Sequence, residues 1–452
     1  MVRVMDVDVV RTEAPPDTRD LPTDRGRYSR FWQACAERIA QLPAKPRRTP
    51  AQADDAEHIK TAARDARRRF LRAHAGAVYE ALTRERTRFV RVEQLVYDAA
   101  DLVPGLTPTR AQVDAESAHF QRDKDGVEID QGVFLAAVLA DVVAGTHLCH
   151  AMLLPRPEAL ARLPELQQSG RVDLGSAEVF RRGGACQVIG KNRRHLNAED
   201  DTTIDAAEIA VDLAILEPAT QVGVLRGGHV EGGKYDGRRM LGSGINLTHL
   251  YRGQIPFLWF VRREMGIVNK LYRGVASEEM VPDDVSGQTT EKPWIAVVEE
   301  FAIGGHCQYL LTMDYVLAAR GAYMTLPARK EGIIPGAANM RLPRLTGERI
   351  ARQAIMYESR LDCDSPEGRL ICDEIVEPHA MDAALDAVVE HLTGSGVVSA
   401  AANRRAIRVT QEPFDTFRRY MATYALAQAH CHFSPALIAN LERNWNAAER
   451  QL

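Results

Sequence analysis

Two adjacent glycines, Gly304 and Gly305, interrupt an otherwise apolar stretch and constrain the fold around them more than any other feature of the chain. Ahead of them Ile295 to Val298 is an apolar run of strand length. Behind them a helix is predicted from near His306, carrying Leu310, Leu311 and Met313, and a second strand over Tyr315 to Ala319. Alternation of this kind belongs to an α/β chain. Glycines where a strand hands over to a helix let the main chain approach a ligand closely and leave N–H groups unpaired. Such donors suit a developing negative charge.

FAIGGHCQ (residues 301–308) and the later LPARKEGIIPGAANMRLPRLTG (residues 326–347) resemble the crotonase (enoyl-CoA hydratase/isomerase) superfamily, whose usual text is close to A-x-G-G-G-C-E and then P-E-x-x-x-G-x-x-P-G-x-G. The resemblance implies a crotonase core and a thioester oxyanion hole built from two main-chain amides. One would belong to Gly305, after Gly304. The other would belong to Ile245, because Ser243-Gly244-Ile245-Asn246-Leu247 is similar to the family's upstream A-G-A-D-L segment.

The departures carry as much information. Hydratases of the family use two glutamates as acid and base, and those places hold Gln308 and Ala328. Gln308 cannot shuttle protons near neutral pH and Ala328 has no polar atom, so hydration of a double bond is not expected. These replacements, the long chain ahead of the core and the insert at residues 252–274 resemble the cofactor-independent dioxygenases of the superfamily, which act on arylacetyl-CoA thioesters. That implies O2 as co-substrate with no metal, flavin or haem, an oxygen pocket lined by Ala328 and Ile333, and a substrate-binding arginine in the insert, Arg263 rather than Arg262. Glu199 is placed opposite that arginine, to receive a ring hydroxyl. Arg193 to Asp200 resembles the segment that lines the family's CoA pocket. Arg193 or Arg194 there would pair with CoA phosphates, or the two form a solvated basic turn.

At 452 residues two domains are expected. With 57 basic and 61 acidic residues the net charge is −4, which gives no global field for nucleic acid or membrane. Seven scattered cysteines without C-x-x-C spacing suggest a reducing, cytoplasmic setting, and the N-terminus has no apolar core of a signal peptide. We expect a flexible arm over residues 1–27, an all-α domain of five or six helices over 28–184, the crotonase core over 185–393 and a C-terminal helical segment over 394–452. Val133 to Leu148 is expected to be a buried helix, Thr346 to cap a helix through Met356, and residues 394–396 to break one. The family resemblance implies a homo-oligomer, trimer or hexamer.

Several motifs are set aside. Asp123 to Gly126 lacks the ligands of a calcium loop and reads as a turn. His147, Cys149 and His150, like His430, Cys431 and His432, point different ways from one helix and do not make a metal site. Gly242 and Gly244 lack the third glycine of a dinucleotide fingerprint. Two rivals stay open beside the oxygenase: a CoA thioester hydrolase or isomerase with Glu199 or His229 as base, and a non-catalytic protein that binds CoA esters.

Overall fold

The apolar runs pair into two sheets in a computed structural model, which describes residues 14–450 apart from 284, 286, 395 and 396. Its strands are β1 (Arg171–Asp173), β2 (Ala177–Arg182), β3 (Ala185–Gly190), β4 (Val222–Gly227), β5 (Trp294–Val298), β6 (Phe301–Ile303), β7 (Tyr315–Ala319), β8 (Tyr323–Thr325), β9 (Leu361–Asp362) and β10 (Glu374–Val376). Seven of them form a sheet in the order β1-β2-β3-β4-β5-β7-β10, and β6, β8 and β9 form a smaller one. From β3 to β10 the large sheet is parallel, with Val224 opposite Ile295 and Ile295 opposite Tyr315. Helices cover parallel strands on both faces, which is why β4 and β5 are buried throughout and read as unbroken apolar text.

The sheet starts earlier than expected. β1 pairs antiparallel with β2, and β2 antiparallel with β3, so the boundary placed between residues 184 and 185 falls inside one sheet. The cause is a tight turn at Gly183, φ +58°, which brings Arg182 opposite Ala185.

Among the described residues seven α-helices precede the sheet, from Leu21–Ala40 to Pro157–Ser169, rather than five or six. The first begins inside the expected arm: the Asp20 side chain accepts from the Thr23 N–H (3.0 Å), and Pro22 occupies its first turn. Residues 1–13 of that arm lie outside the described residues. The Val133–Leu148 run is two helices, Ile129–Ala140 and Val142–Leu153, because Asp141 caps the second by accepting from the Ala144 N–H (2.8 Å). No single described helix is long and apolar enough to cross a membrane.

Thr346 does not cap. Its hydroxyl donates back to Leu342 O (3.0 Å), and Gly347, at φ +77°, kinks the helical stretch Ala338–Met356. The helix Phe414–His432 lies so close to Ile129–Ala140 that a Cβ on Gly132 would stand 2.5 Å from that of Ala429. Buried side chains from Tyr28 to Ala447 form one continuous cluster, so the helices before the sheet share their core with it. The expected break at 394–396 lies partly outside the described residues; the helix Met381–Gly394 reaches its edge.

Candidate active site

Gly304 leaves β6 at φ +55° and hands the chain to the short helix Gly305–Leu310. The segment from Gly242 to Asn246 runs alongside. The Ile303 N–H donates to Gly242 O (3.1 Å), the Glu199 N–H to Gly244 O (2.8 Å) and the Asn246 N–H to Glu199 O (2.7 Å). Since Gly244 C=O and Asn246 N–H both face Glu199, the Ile245 N–H between them faces the other way. Gly305 lies close by: its nitrogen is 3.5 Å from where a Cβ on Gly244 would stand. The Gly244 N–H itself donates to His306 Nδ1 (3.1 Å). Among the described residues the N–H groups of Ile245 and Gly305 have no acceptor.

Both residues line a chamber together with Gly304, Gln308, Glu199, Arg263, Ala328 and Ile333. Ile245 and Glu331 also line a groove of about 780 Å³ that includes Arg194, Ser243, Leu247, Tyr235, Lys330 and Trp445. The chamber therefore adjoins a long, mixed polar and apolar groove at the neck where the Ile245 amide lies.

The helical insert positions the chamber's cation. Between the helices Phe257–Arg262 and Asn269–Arg273 runs a π-helical turn, Arg263–Val268, whose wider winding accommodates an extra residue. Arg262 faces outward to Asp205 and Glu93, while Arg263 is 3% exposed. The Arg263 Nε donates to Glu199 Oε1 and Oε2 (2.9 and 3.0 Å), Nη1 to Glu264 Oε1 (2.6 Å) and Gln308 Oε1 (2.7 Å), and Nη2 to Gly305 O (2.7 Å). Its guanidinium also lies 4.5 Å from the Tyr309 ring, and the Tyr309 hydroxyl donates to Glu199. Burial raises the Glu199 pKa, but the guanidinium more than offsets this and holds the carboxyl below its ordinary range. Burial pushes His306 down to about 4, so the ring is neutral and free to accept from Gly244.

The chain is 44% identical over 419 residues, 92% of this chain and 95% of the relative, to a (3,5-dihydroxyphenyl)acetyl-CoA 1,2-dioxygenase from Amycolatopsis orientalis. The family model for enoyl-CoA hydratase/isomerase matches residues 273–421. The chain belongs to the enoyl-CoA hydratase/isomerase superfamily. A carnitinyl-CoA dehydratase of Citrobacter koseri is 25% identical over 254 residues, 55% of this chain and 86% of the relative. Among solved structures, an enoyl-CoA hydratase from Mycobacterium avium subsp. paratuberculosis K-10 has a TM-score of 0.49 at 17% identity, covering 62% of this chain and 100% of that one. The core is thus a crotonase core of α/β class, with helical regions added before and after it.

Of the superfamily residues expected at the site, Ile245, Gly304, Gly305, Gln308, Glu199, Arg263, Ala328 and Ile333 come together in the chamber. Ser243 and Leu247 line the groove, and Gly244 joins the two with its φ of +85°. Of the two arginines offered for CoA phosphates, Arg193 is exposed and pairs with Glu231 (3.3 Å), and Arg194 lines the groove. The 3₁₀ turn Arg193–His195 explains why, since adjacent side chains there diverge. His229 is exposed, with Nδ1 2.8 Å from Gly237 O, and lines neither the chamber nor the groove.

Glu264, Tyr309, Glu331 and Tyr424 also line or brace the chamber, and sequence reading missed them. Glu264 had a signal, a carboxylate beside an arginine in an apolar helix. Its Oε2 accepts from the Ala337 N–H (2.9 Å), tying the insert to the chamber wall. Of the histidines set aside earlier, His147 meets the Tyr79 hydroxyl (2.7 Å) and Arg86 O (3.1 Å), and His150 meets Ser277 O (3.0 Å).

Proposed function

We propose that this enzyme is a dioxygenase that converts (3,5-dihydroxyphenyl)acetyl-CoA and O2 to 3,5-dihydroxyphenylglyoxylate and CoA. The observation that carries it is the 44% identity, over nearly the whole of both chains, to a (3,5-dihydroxyphenyl)acetyl-CoA 1,2-dioxygenase. The chamber is consistent with it, because the two hydratase carboxylate positions hold Gln308 and Ala328 while the unpaired Ile245 and Gly305 amides remain.

The carbon between an aromatic ring and a thioester is comparatively acidic, and two amides at the thioester oxygen lower the cost of its enolate further. Each such donor is worth roughly 3 kcal/mol in enzymes where one has been removed. The enolate transfers an electron to O2, and the radical pair combines at the α-carbon. The terminal peroxide oxygen attacks the thioester carbonyl and expels CoA as its thiolate. O–O cleavage with loss of the second α-hydrogen leaves the arylglyoxylate. Both oxygen atoms end in the product, and the enolate is the reductant, so the scheme requires no metal, flavin or haem.

The CoA chain lies along the groove and the ring enters the chamber, where Glu199 accepts from a ring hydroxyl and Arg263 fixes Glu199. Arg194, rather than Arg193, is the guanidinium in reach of a phosphate. A homo-oligomer, trimer or hexamer, and a cytoplasmic setting remain part of this proposal; the free state of all seven cysteines supports the second.

Chelator-treated protein in an oxygen electrode tests the assignment: uptake of one O2 per CoA released from the dihydroxyphenyl ester is expected. CoA release at an undiminished rate under argon would mean hydrolysis instead, and no turnover of any arylacetyl-CoA would mean a binding protein. For the oxygen pocket, Ala328, 3% exposed beside Ile333 and Ile334, is the residue to enlarge. Ala328→Leu is expected to slow oxygen consumption about tenfold, equivalent to ~1.4 kcal/mol, with much less change in ester affinity. Equal losses in both would remove the pocket from the scheme.

A further inference from the structure

We propose that Glu331 is the base that takes the α-proton of the thioester. The inference rests on the arylacetyl-CoA chemistry above and adds the group that the scheme leaves unnamed.

Position is the first argument. Ile245 and Glu331 are the residues common to the chamber and the groove, so the carboxylate and the oxyanion amide share one neck. A thioester with its carbonyl oxygen on the Ile245 and Gly305 amides, its ring in the chamber and its CoA arm in the groove has its α-carbon in that neck. Glu331 is also held. It ends the short helix Ala328–Glu331, and the C-terminal helix Pro435–Trp445 clamps this turn through Asn440 Nδ2 to Arg329 O (3.2 Å) and Asn444 Nδ2 to Lys330 O (3.1 Å).

Elimination is the second. The chamber's other titratable groups are Glu199, Arg263, Glu264 and Tyr424. Glu199 and Glu264 both accept from Arg263, and Glu264 also from the Ala337 N–H. Burial keeps the Tyr424 phenol well above its ordinary pKa, so it is protonated and not a base. No hydrogen bond or ion pair engages the Glu331 carboxyl among the described residues, although it is half-buried.

Its surroundings suit the role. Burial, with the Glu358 carboxylate nearby, pushes Glu331 up to about 7, where a carboxylate is a stronger base than usual. Glu358 is itself paired with Arg329 (3.1 Å) and Lys330 (4.0 Å). The remaining charged or titratable groups around the neck are Arg194, His195, Tyr235, Tyr323 and Arg450 along the groove and the Arg263 cluster in the chamber. In the step itself the α-C–H bond breaks, its electron pair passes into the enolate, and the proton binds a Glu331 oxygen. The groove returns that proton to water.

Exchange of the α-hydrogens of (3,5-dihydroxyphenyl)acetyl-CoA in D2O under argon isolates this step from oxygen chemistry. Glu331→Gln is expected to exchange about 100-fold more slowly than wild type, with the ester still bound and Glu331→Asp recovering part of the rate. Wild-type exchange should rise as pH passes upward through about 7, where Glu331 ionises, and the glutamine variant should lack that rise. Slowing of less than about tenfold in Glu331→Gln, below the usual contribution of a general base, overturns the proposal, as does a wild-type protein that exchanges nothing. Exchange by wild type without oxygen uptake would instead refute the dioxygenase activity and leave Glu331 to be judged by the ratio of the two exchange rates.

Discussion

Replacing Arg263 by methionine is expected to destabilise the protein by about 3–5 kcal/mol at pH 7.5 and to lower oxygen uptake about 1,000-fold. The guanidinium is the common partner of Glu199, Glu264, Gln308 and the Gly305 carbonyl, all inside the protein. Removing it leaves two buried carboxylates without their cation and frees the turn that carries one oxyanion amide. The pH dependence separates this from simple loss of packing. In wild type the Glu199 pKa is held below its unfolded value of about 4.3. Its stabilisation is therefore fully present above about pH 4.3 and is lost as pH falls through the folded value. Without the guanidinium, only weaker partners such as the Tyr309 hydroxyl oppose the burial of Glu199, its folded pKa rises above the unfolded one, and the variant should become more stable between pH 7.5 and 5.5. Urea melts at those two pH values check the sign; parallel behaviour of both proteins would mean that Arg263 does not compensate Glu199. Arg263→Lys should fold better yet still lose activity, because a point charge cannot reach acceptors spread around a planar fork.

How legible this arrangement was depends on what each residue responds to. β5, the Gly304-Gly305 turn and β7 were readable because continuous apolar runs and glycine pairs are local signals, set by burial on both faces and by main-chain freedom. Arg263 was readable against Arg262 only with the resemblance, and the reason it faces inward is the π-helical turn, which no side-chain period announces. Arg193 and Arg194 stayed undivided in the sequence because a 3₁₀ turn decides which of two adjacent arginines meets the groove. β1 and β2 were missed because an edge hairpin has short, half-polar strands and resembles the helical text before it. Glu331 was invisible for a different reason, since its significance lies in the neck it shares with Ile245, and the local signal of Glu264 beside Arg263 did not disclose its tie to Ala337; both contacts are distant in sequence. Local text fixes elements, while the chamber is made by how those elements meet.

Adding one methyl group at Gly305 tests that meeting point directly. A Cβ there would stand 2.2 Å from Glu199 Oε2 and 2.8 Å from Arg263 Nη2, and neither atom can retreat without giving up a hydrogen bond of the chamber. Gly305→Ala should therefore push the oxyanion turn away from Ile245 and lower kcat about 100- to 1,000-fold, the usual cost of losing one such donor. Because the amide pair acts on charge that develops only as the enolate forms, kcat and kcat/KM should both fall, with only a smaller rise in KM from the displaced Glu199. Gly321→Ala supplies the control: Gly321 also has a positive φ, +85°, but a Cβ there meets nothing within 4 Å. Its alanine variant should lose only about 1–2 kcal/mol of stability through the left-handed backbone and keep its activity. A rise in KM with kcat intact in Gly305→Ala would show that the amide binds the substrate's ground state as tightly as the enolate, which would remove the main-chain pair from catalysis.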